Sequence, residues 1–326
     1  MTHSSIEVLA ESSRWHAREV RYVGGSIESI LGELPEFELR PFQSDADAPS
    51  NPFLKVVTRL PRTRVERPMP VGVVSNNYTL AGHRLVADKC LQALRDQGLP
   101  TAALRAELGL TELGEWMNLR VYLPDAYTKH VRGEDISLRL ECFNSVDGSS
   151  RLVVLLGWIR FVCSNGLIVG ETKAELREVH DARLNLDQVG AAIGNGLKMV
   201  ERDFQRMQSW AERAVSEDAL VSWVDGVLSE QWGKKAASRV FHICRTGEDS
   251  DLVDPFARGS ASQKPVRTTV PVPGSEVPAK DLFAVSQAVS WVGTRRHNAE
   301  ERVAWLSQIP DLLAALASSD STAGRS

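Results

Sequence analysis

The peptide Arg160-Phe-Val-Cys-Ser-Asn-Gly166 holds the one cysteine whose neighbours suggest chemistry. The thiolate is the reactive form of cysteine, and a guanidinium close to a thiol lowers its pKa. His130 or His180 would be the base that such a nucleophile needs. Against this, Cys163 closes an apolar run, and small buried thiols are common at such places. We therefore read Cys163 as structural and Asn165-Gly166 as a turn that needs positive φ. Other catalytic signatures are missing: the chain has no GxSxG elbow, no GxxxxGK[ST] or GxGxxG loop and no HExxH helix. The four cysteines, Cys90, Cys142, Cys163 and Cys244, form no CxxC pair and have no histidine at zinc-finger spacing. No cofactor is expected, and a non-enzyme is favoured over an enzyme.

Arginine is the remaining lead. Arg59, Arg62, Arg64 and Arg67 fall within nine residues, punctuated by Pro61 and Pro68, which prevent regular pairing. Such a segment is an exposed arm, either a solvated connector or a phosphate contact. Arg120, Arg139 and Arg160 lie on strand-like segments, and Arg151 follows a turn built from Asp147 and Gly148. If these side chains share a face they make a positive stripe suited to phosphate, with Tyr122, Phe143, Trp158 and Phe161 available for stacking. In the alternative, the aromatics are core and the arginines pair with Glu141 and other acids.

The elements that must position these residues can be read from periodicity. Leu138, Leu140 and Cys142 alternate with Ser137, Arg139 and Glu141, as in a strand with one wet face. After the Asn144-Asp147-Gly148 turn, Leu152 to Leu156 is apolar on both faces and reads as a central strand. Upstream come a strand in FLKVVTRL, a strand in Val71 to Tyr78, a helix capped by Thr79 and closed by Gly98, and a strand over Trp116 to Leu123. Downstream, Val189, Ile193, Leu197, Val200, Phe204, Met207, Ala211 and Ala214 recur in steps of 4, 4, 3, 4, 3, 4 and 3. That spacing is a coiled-coil-like seam on one long helix over Leu184 to Val215, used for core packing or for self-association. Helices follow at Glu217 to Gln231, Lys235 to Cys244 and Asp281 to Gln308, the last broken by Pro310.

The fold class is therefore α+β: a mostly antiparallel N-terminal sheet with one early helix, then a layer of long C-terminal helices. Residues 1–50 form a partly irregular extension, with a short helix near Ile6 to Trp15. A single domain covers 51–245 and 281–316, with the sheet in 51–170 and helices in 184–245 and 281–309. Residues 246–280, rich in proline, glycine and serine, read as a mobile loop, and 317–326 as a disordered tail. At 326 residues and a net charge of −4, the chain is not one that coats nucleic acid along its whole surface, although a local basic groove is compatible with that charge. No apolar run approaches ~18 residues, and the N-terminus carries no secretory signal pattern. A reduced, cytoplasmic protein without membrane attachment is expected.

Four peptides together carry a resemblance. Val73-Val-Ser-Asn-Asn-Tyr78 before a helix, Asn144-Ser-Val-Asp-Gly-Ser149 in the hairpin, Arg160-Phe-Val-Cys-Ser-Asn165 after it and the late helix with Gln287-Ala-Val-Ser290 resemble the phage/plasmid-like protein family, domain of unknown function 932. The resemblance covers roughly Asn51 to Leu313, and the late helix departs from the Asn-Ala-Val-Thr-like pattern associated with it. It implies no catalytic residues. A setting on phages and plasmids implies nucleic-acid processing, so the expected function is non-enzymatic binding of single-stranded nucleic acid, with homo-oligomerisation as an accompanying expectation. The alternative is an interaction module that docks on a host or phage protein.

Overall fold

The computed structural model describes residues 7–9, 20–45, 47–160, 167–168, 174–178, 180–181, 184–252, 259–264, 266–272, 274–296 and 299–323. In chain order the elements are β1 (Glu7–Leu9), β2 (Val20–Ser26), α1 (Ile27–Gly32), β3 (Phe37–Pro41), β4 (Leu54–Arg59), β5 (Met69–Ser75), α2 (His83–Asp96), β6 (Arg105–Thr111), β7 (Trp116–Tyr122), β8 (Thr128–Val131), β9 (Glu134–Ser145), β10 (Leu152–Arg160), β11 (Leu167–Ile168), β12 (Ala174–Glu178), α3 (Asp187–Glu212), α4 (Glu217–Trp223), α5 (Ser229–Thr246), β13 (Glu248–Leu252), β14 (Val266–Pro271), α6 (Leu282–Thr294) and α7 (Ala299–Ala323). An antiparallel sheet region is followed by helices, so the class is α+β as the periodicity predicts.

The chain divides into two compact units. The first comprises Met1–Tyr127, Leu138–Leu156 and Lys173–Lys198. Its large sheet runs in the order β1, β2, β6, β7, β9, β10, with β12 also on β10. The pairs β1–β2, β2–β6, β6–β7, β7–β9 and β10–β12 are antiparallel. One face carries Ala106, Leu108, Met117, Leu119, Val121, Leu138, Leu140 and Cys142, all buried. Cys142 meets Cys90 of α2, and this contact together with burial pushes the Cys142 thiol well up. Helix α2 starts at His83 behind Gly82 rather than behind Thr79, and Gly98 at φ 80° closes it. The start of α3 lies along α2, where Gly190 faces Ala93 and Gly194 faces Gln97. Of the α3 seam, Val189, Ile193, Val200 and Met207 are buried, Leu197, Phe204 and Ala211 are half-buried, and Ala214 is exposed.

β3, β4 and β5 form a separate three-stranded antiparallel sheet within this unit. Val57, Val71 and Val74 pack with Val146 and with Phe37, Leu39, Tyr78, Leu80 and Leu113. Strand β6, between α2 and β7, escapes the sequence reading because Arg105-Ala-Glu-Leu-Gly-Leu-Thr111 has a weak alternation.

The second unit comprises Thr128–Ser137, Gly157–Thr172 and Met199–Ser326. Ser216 caps α4 through Ala219 N, and a π turn at Val224–Leu228 carries it into α5, whose first turn kinks at Gly233 (φ 81°). Residues 246–280, expected to be a loop, contain the hairpin β13–β14. Two bonds from Arg239 (2.9 and 2.6 Å) and one from Trp291 Nε1 (3.0 Å) hold Asp249 of that hairpin. The helix expected over Asp281 to Gln308 is two helices. Asp281 caps α6 through Ala284 N at 2.9 Å, and α6 ends at Thr294, where Arg295 lies 3.6 Å over the Trp291 ring. Pro310 lies inside α7, which continues to Ala323. The missing N–H of a proline destabilises a helix interior, but Ile309, Leu312 and Leu313 are fully buried around it and packing prevails. Among the described residues no helix is long and apolar enough to cross a membrane.

Candidate functional site

The basic arm is the connection between β4 and β5, residues 60–68. From Leu54 to Ser75 the cations Lys55, Arg59, Arg62, Arg64 and Arg67 face one carboxylate, Glu66, although the whole chain is net negative. Two of these cations are partly engaged by the unit. Arg59 Nη1 donates to Leu113 O at 3.2 Å, and Arg62 donates to Glu33 O with the Glu33 carboxylate 3.6 Å away. The Arg62 backbone N–H donates to Glu66 Oε2 at 2.7 Å and folds the arm on itself. Arg62, Arg64 and Arg67 are exposed, and Arg64 and Arg67 have no ion pair among the described residues.

Exposed apolar side chains occur on β5 of this small sheet (Met69, Val73), on the arm (Val65) and just beyond β3 and before β4 (Phe42, Phe53). Phe42, Phe53, Val65, Met69 and Val73 are all exposed, with Phe53 at 75%, Val65 at 92% and Val73 at 51%. Large side chains at such exposure are the informative exceptions to burial when they cluster.

Two of the predicted cations lie elsewhere. Arg120 and Arg139 are 1% and 2% exposed, so they do not stand on a solvent-facing stripe. Cross-strand register explains this: Arg120 lies opposite Glu107 on β6 and Glu141 on β9. Its Nη1 reaches Glu107 Oε2 at 3.3 Å and its Nε reaches Glu141 Oε1 at 3.4 Å. Arg139 Nη2 holds the other oxygen of Glu141 at 3.0 Å. Tyr22 OH donates to Asn118 Oδ1 at 2.9 Å, Asn118 Nδ2 donates to Glu141 at 3.2 Å, and Arg120 lies 4.5 Å over the Tyr22 ring. The face of β9 that looked wet is therefore a sealed charge network. Phe143 and Trp158, offered for stacking, are also buried, and Phe143 packs 5.9 Å from Trp116. Arg151 is exposed just before β10. The Arg160 side chain, Phe161, Cys163, Asn165 and Gly166 lie outside the described residues.

The turn motif does something the sequence did not disclose. Asp147 accepts from Ser149 N at 3.0 Å, Gly148 takes φ 79°, and Ser145 Oγ closes the loop on Ser150 N (3.0 Å) and O (2.9 Å). This turn abuts β5 so closely that a Cβ on Gly72 would stand 2.6 Å from Asp147 Cβ. Tyr78 OH donates to Ser145 O at 3.3 Å, and the Tyr78 ring stacks on His180 at 5.3 Å. Behind it, Asn144 Nδ2 donates to Ala81 O and to His83 Nδ1, both at 2.9 Å, while His83 Nε2 meets Gly114 O at 2.8 Å. His83 thus donates from Nε2 and accepts at Nδ1, the neutral form. Burial holds its pKa down to about 4, against an upward pull from the Gly114 carbonyl. Burial also lowers His180 and raises Tyr78. The peptides Val73–Tyr78 and Asn144–Ser149 therefore clasp each other. Their polar groups are committed to holding β5, the turn and α2 together, and among the described residues no cluster of histidine, cysteine and carboxylates has metal-ligand geometry.

A family model described as "Domain of unknown function (DUF932)" matches residues 70–271, more than half of the chain. No curated protein and no solved structure matches it.

Proposed function

The chain belongs to this family of unknown function, so activity must be argued from geometry, and we propose that it is a phage- or plasmid-associated protein that binds single-stranded nucleic acid without catalysis. The observation that carries the reading is the five-to-one excess of cations over carboxylates between Leu54 and Ser75, with Arg62, Arg64 and Arg67 exposed on one connection. Guanidinium groups at that density favour a polyanion, because each phosphate they neutralise releases a condensed counterion. Arg120 and Arg139 are not part of this interface, since their charge is consumed by Glu107 and Glu141. Arg151, exposed beside the Asp147 turn, is a candidate for extending it.

A salt titration of binding to a fluorescent single-stranded oligonucleotide tests the reading. Log affinity should fall linearly with log salt, and changing Arg62, Arg64 and Arg67 together to glutamine should reduce the slope by about 2, from ~0.7 per phosphate contact. No binding at low salt, or binding indifferent to salt, overturns it. A second reading, docking on a host or phage protein, is favoured by the exposed Val65, Met69 and Val73. Under that reading Val65→Ser and Val73→Ser abolish capture of the partner, whereas the arginine changes leave it intact.

A further inference from the structure

We infer that Phe53, linked through Asn51 to Phe42, is the base-stacking element of the interface and gives it preference for single strands; the inference rests on the nucleic-acid reading above. Phe53 is a large ring at 75% exposure, yet its backbone is pinned on both sides. Its N–H and that of Leu54 donate to Asn51 Oδ1 at 2.8 and 3.1 Å, and its carbonyl accepts from Asn76 N at 2.7 Å. Asn51 also ties in the second ring, since its own N–H donates to Phe42 O at 2.8 Å. Both phenyl groups are thereby presented on a fixed frame, and ordering them on a ligand costs little extra conformational entropy. A flat apolar ring held out in water suits a base, whose faces are apolar and whose stacking tolerates any sequence.

Charge complementarity selects this occupant over a neutral apolar partner. Lys55 stands two residues from Phe53 and pairs in register with Pro41, next to Phe42. The arginine connection begins at the other end of β4, whose six residues span about 20 Å at ~3.3 Å each. Val73, opposite Val56, lies by strand alternation on the other face from Lys55 and takes no part in this path. A strand lying along this sheet puts phosphates on the arginines and bases on the rings. In a duplex the base faces are occupied by their neighbours, so the rings reach them only where the strand is unstacked.

Binding of full-length protein to a fluorescent oligothymidylate and to an abasic oligomer of the same length, each over a range of salt, tests this. The native protein should bind oligothymidylate roughly 10- to 100-fold more tightly than the abasic strand, following the usual effect of losing a stacked base. Phe53→Ala should abolish that preference while keeping the salt slope, and Phe53→Trp should retain it. Because the ring is exposed, circular dichroism of Phe53→Ala should match the native protein. Equal affinity for the two oligomers, or an unchanged preference in Phe53→Ala, overturns the stacking assignment while a normal salt slope leaves the nucleic-acid reading standing. Failure of the native protein to bind either oligomer overturns both.

Discussion

Arg120 and Arg62 are the same amino acid within one folding unit, and their surroundings give them opposite uses. Arg120 sits on a strand whose two neighbours each place a glutamate opposite it, so the guanidinium is sealed in with Glu107 and Glu141. Arg62 sits between Pro61 and the next strand, where no ladder supplies a cross-strand partner, and it remains at the surface against Glu33. A buried cation must be neutralised where it lies, because desolvation of an unpaired charge costs several kcal/mol. An exposed cation at a surface ion pair contributes about 0–1 kcal/mol to stability, which leaves it available to a ligand.

The largest expected effect breaks the buried side of this contrast. Arg120→Met removes the shared cation and leaves Glu107 and Glu141 facing each other in a sealed site, with Arg139 as the remaining close counter-charge for Glu141. Loss of one partner from a buried pair typically costs about 3–5 kcal/mol. Urea denaturation should show a fall of that size in unfolding free energy, and a fall below ~1 kcal/mol would mean that the network is wet.

His83 sharpens the comparison from the other side, as a buried base kept neutral rather than neutralised. Its folded pKa of about 4 lies below the ordinary 6.5, so the unfolded chain takes up the proton first on acidification. Stability from this site is complete above pH 6.5 and is lost as the pH falls toward 4, by up to about 3 kcal/mol at ~1.4 kcal/mol per pH unit. His180, also lowered by burial, acts in the same direction. Denaturation at pH 7 and pH 4.5 should show the loss, and His83→Gln should be less stable at pH 7 but less sensitive to acid. Equal acid sensitivity in native protein and variant would assign the pH dependence elsewhere.

A smaller effect is expected where the two family peptides meet. Gly72→Ala places a methyl 2.6 Å from Asp147 Cβ and 2.8 Å from its Cα, so backbone must yield. Overpacking of this kind costs about 1–3 kcal/mol. Gly82→Ala, with nothing within 4 Å, is the matched control, and comparable thermal shifts in the two variants would contradict the close approach.

Periodicity made the sheet and helices legible, because alternation at Leu138–Cys142 and the 3–4 spacing from Val189 are local properties. It also told that Arg120 and Arg139 lie on the face opposite the apolar side chains. It did not tell that this face is buried, which depends on Glu107 of a strand with weak alternation and on register between strands distant in sequence. The arm was legible for the opposite reason: prolines at 61 and 68 forbid pairing whatever the tertiary structure does. The clasp of Tyr78, His83 and Asn144 was visible only as two unconnected peptides, since the contact joins residues about 60 or more positions apart. The break between α6 and α7 has no proline to announce it, and Pro310 misdirected the boundary because burial around it outweighs the lost hydrogen bond.

The smallest effect on stability is expected from the exposed side of the contrast. Neutralising Arg62, Arg64 and Arg67 to glutamine removes one surface ion pair, that of Arg62 with Glu33, and no buried charge loses its partner. Each substitution should change unfolding free energy by less than about 0.5 kcal/mol, the usual range for surface positions, and the triple variant should unfold within ~1.5 kcal/mol of the native protein if the three sites are additive. The salt slope for single-stranded nucleic acid should nevertheless fall by about 2. That dissociation of stability from binding is what separates a ligand-facing cation from a structural one. If the triple variant instead unfolds as readily as Arg120→Met, the arm is part of the fold, and the distinction between the two sets of arginines disappears.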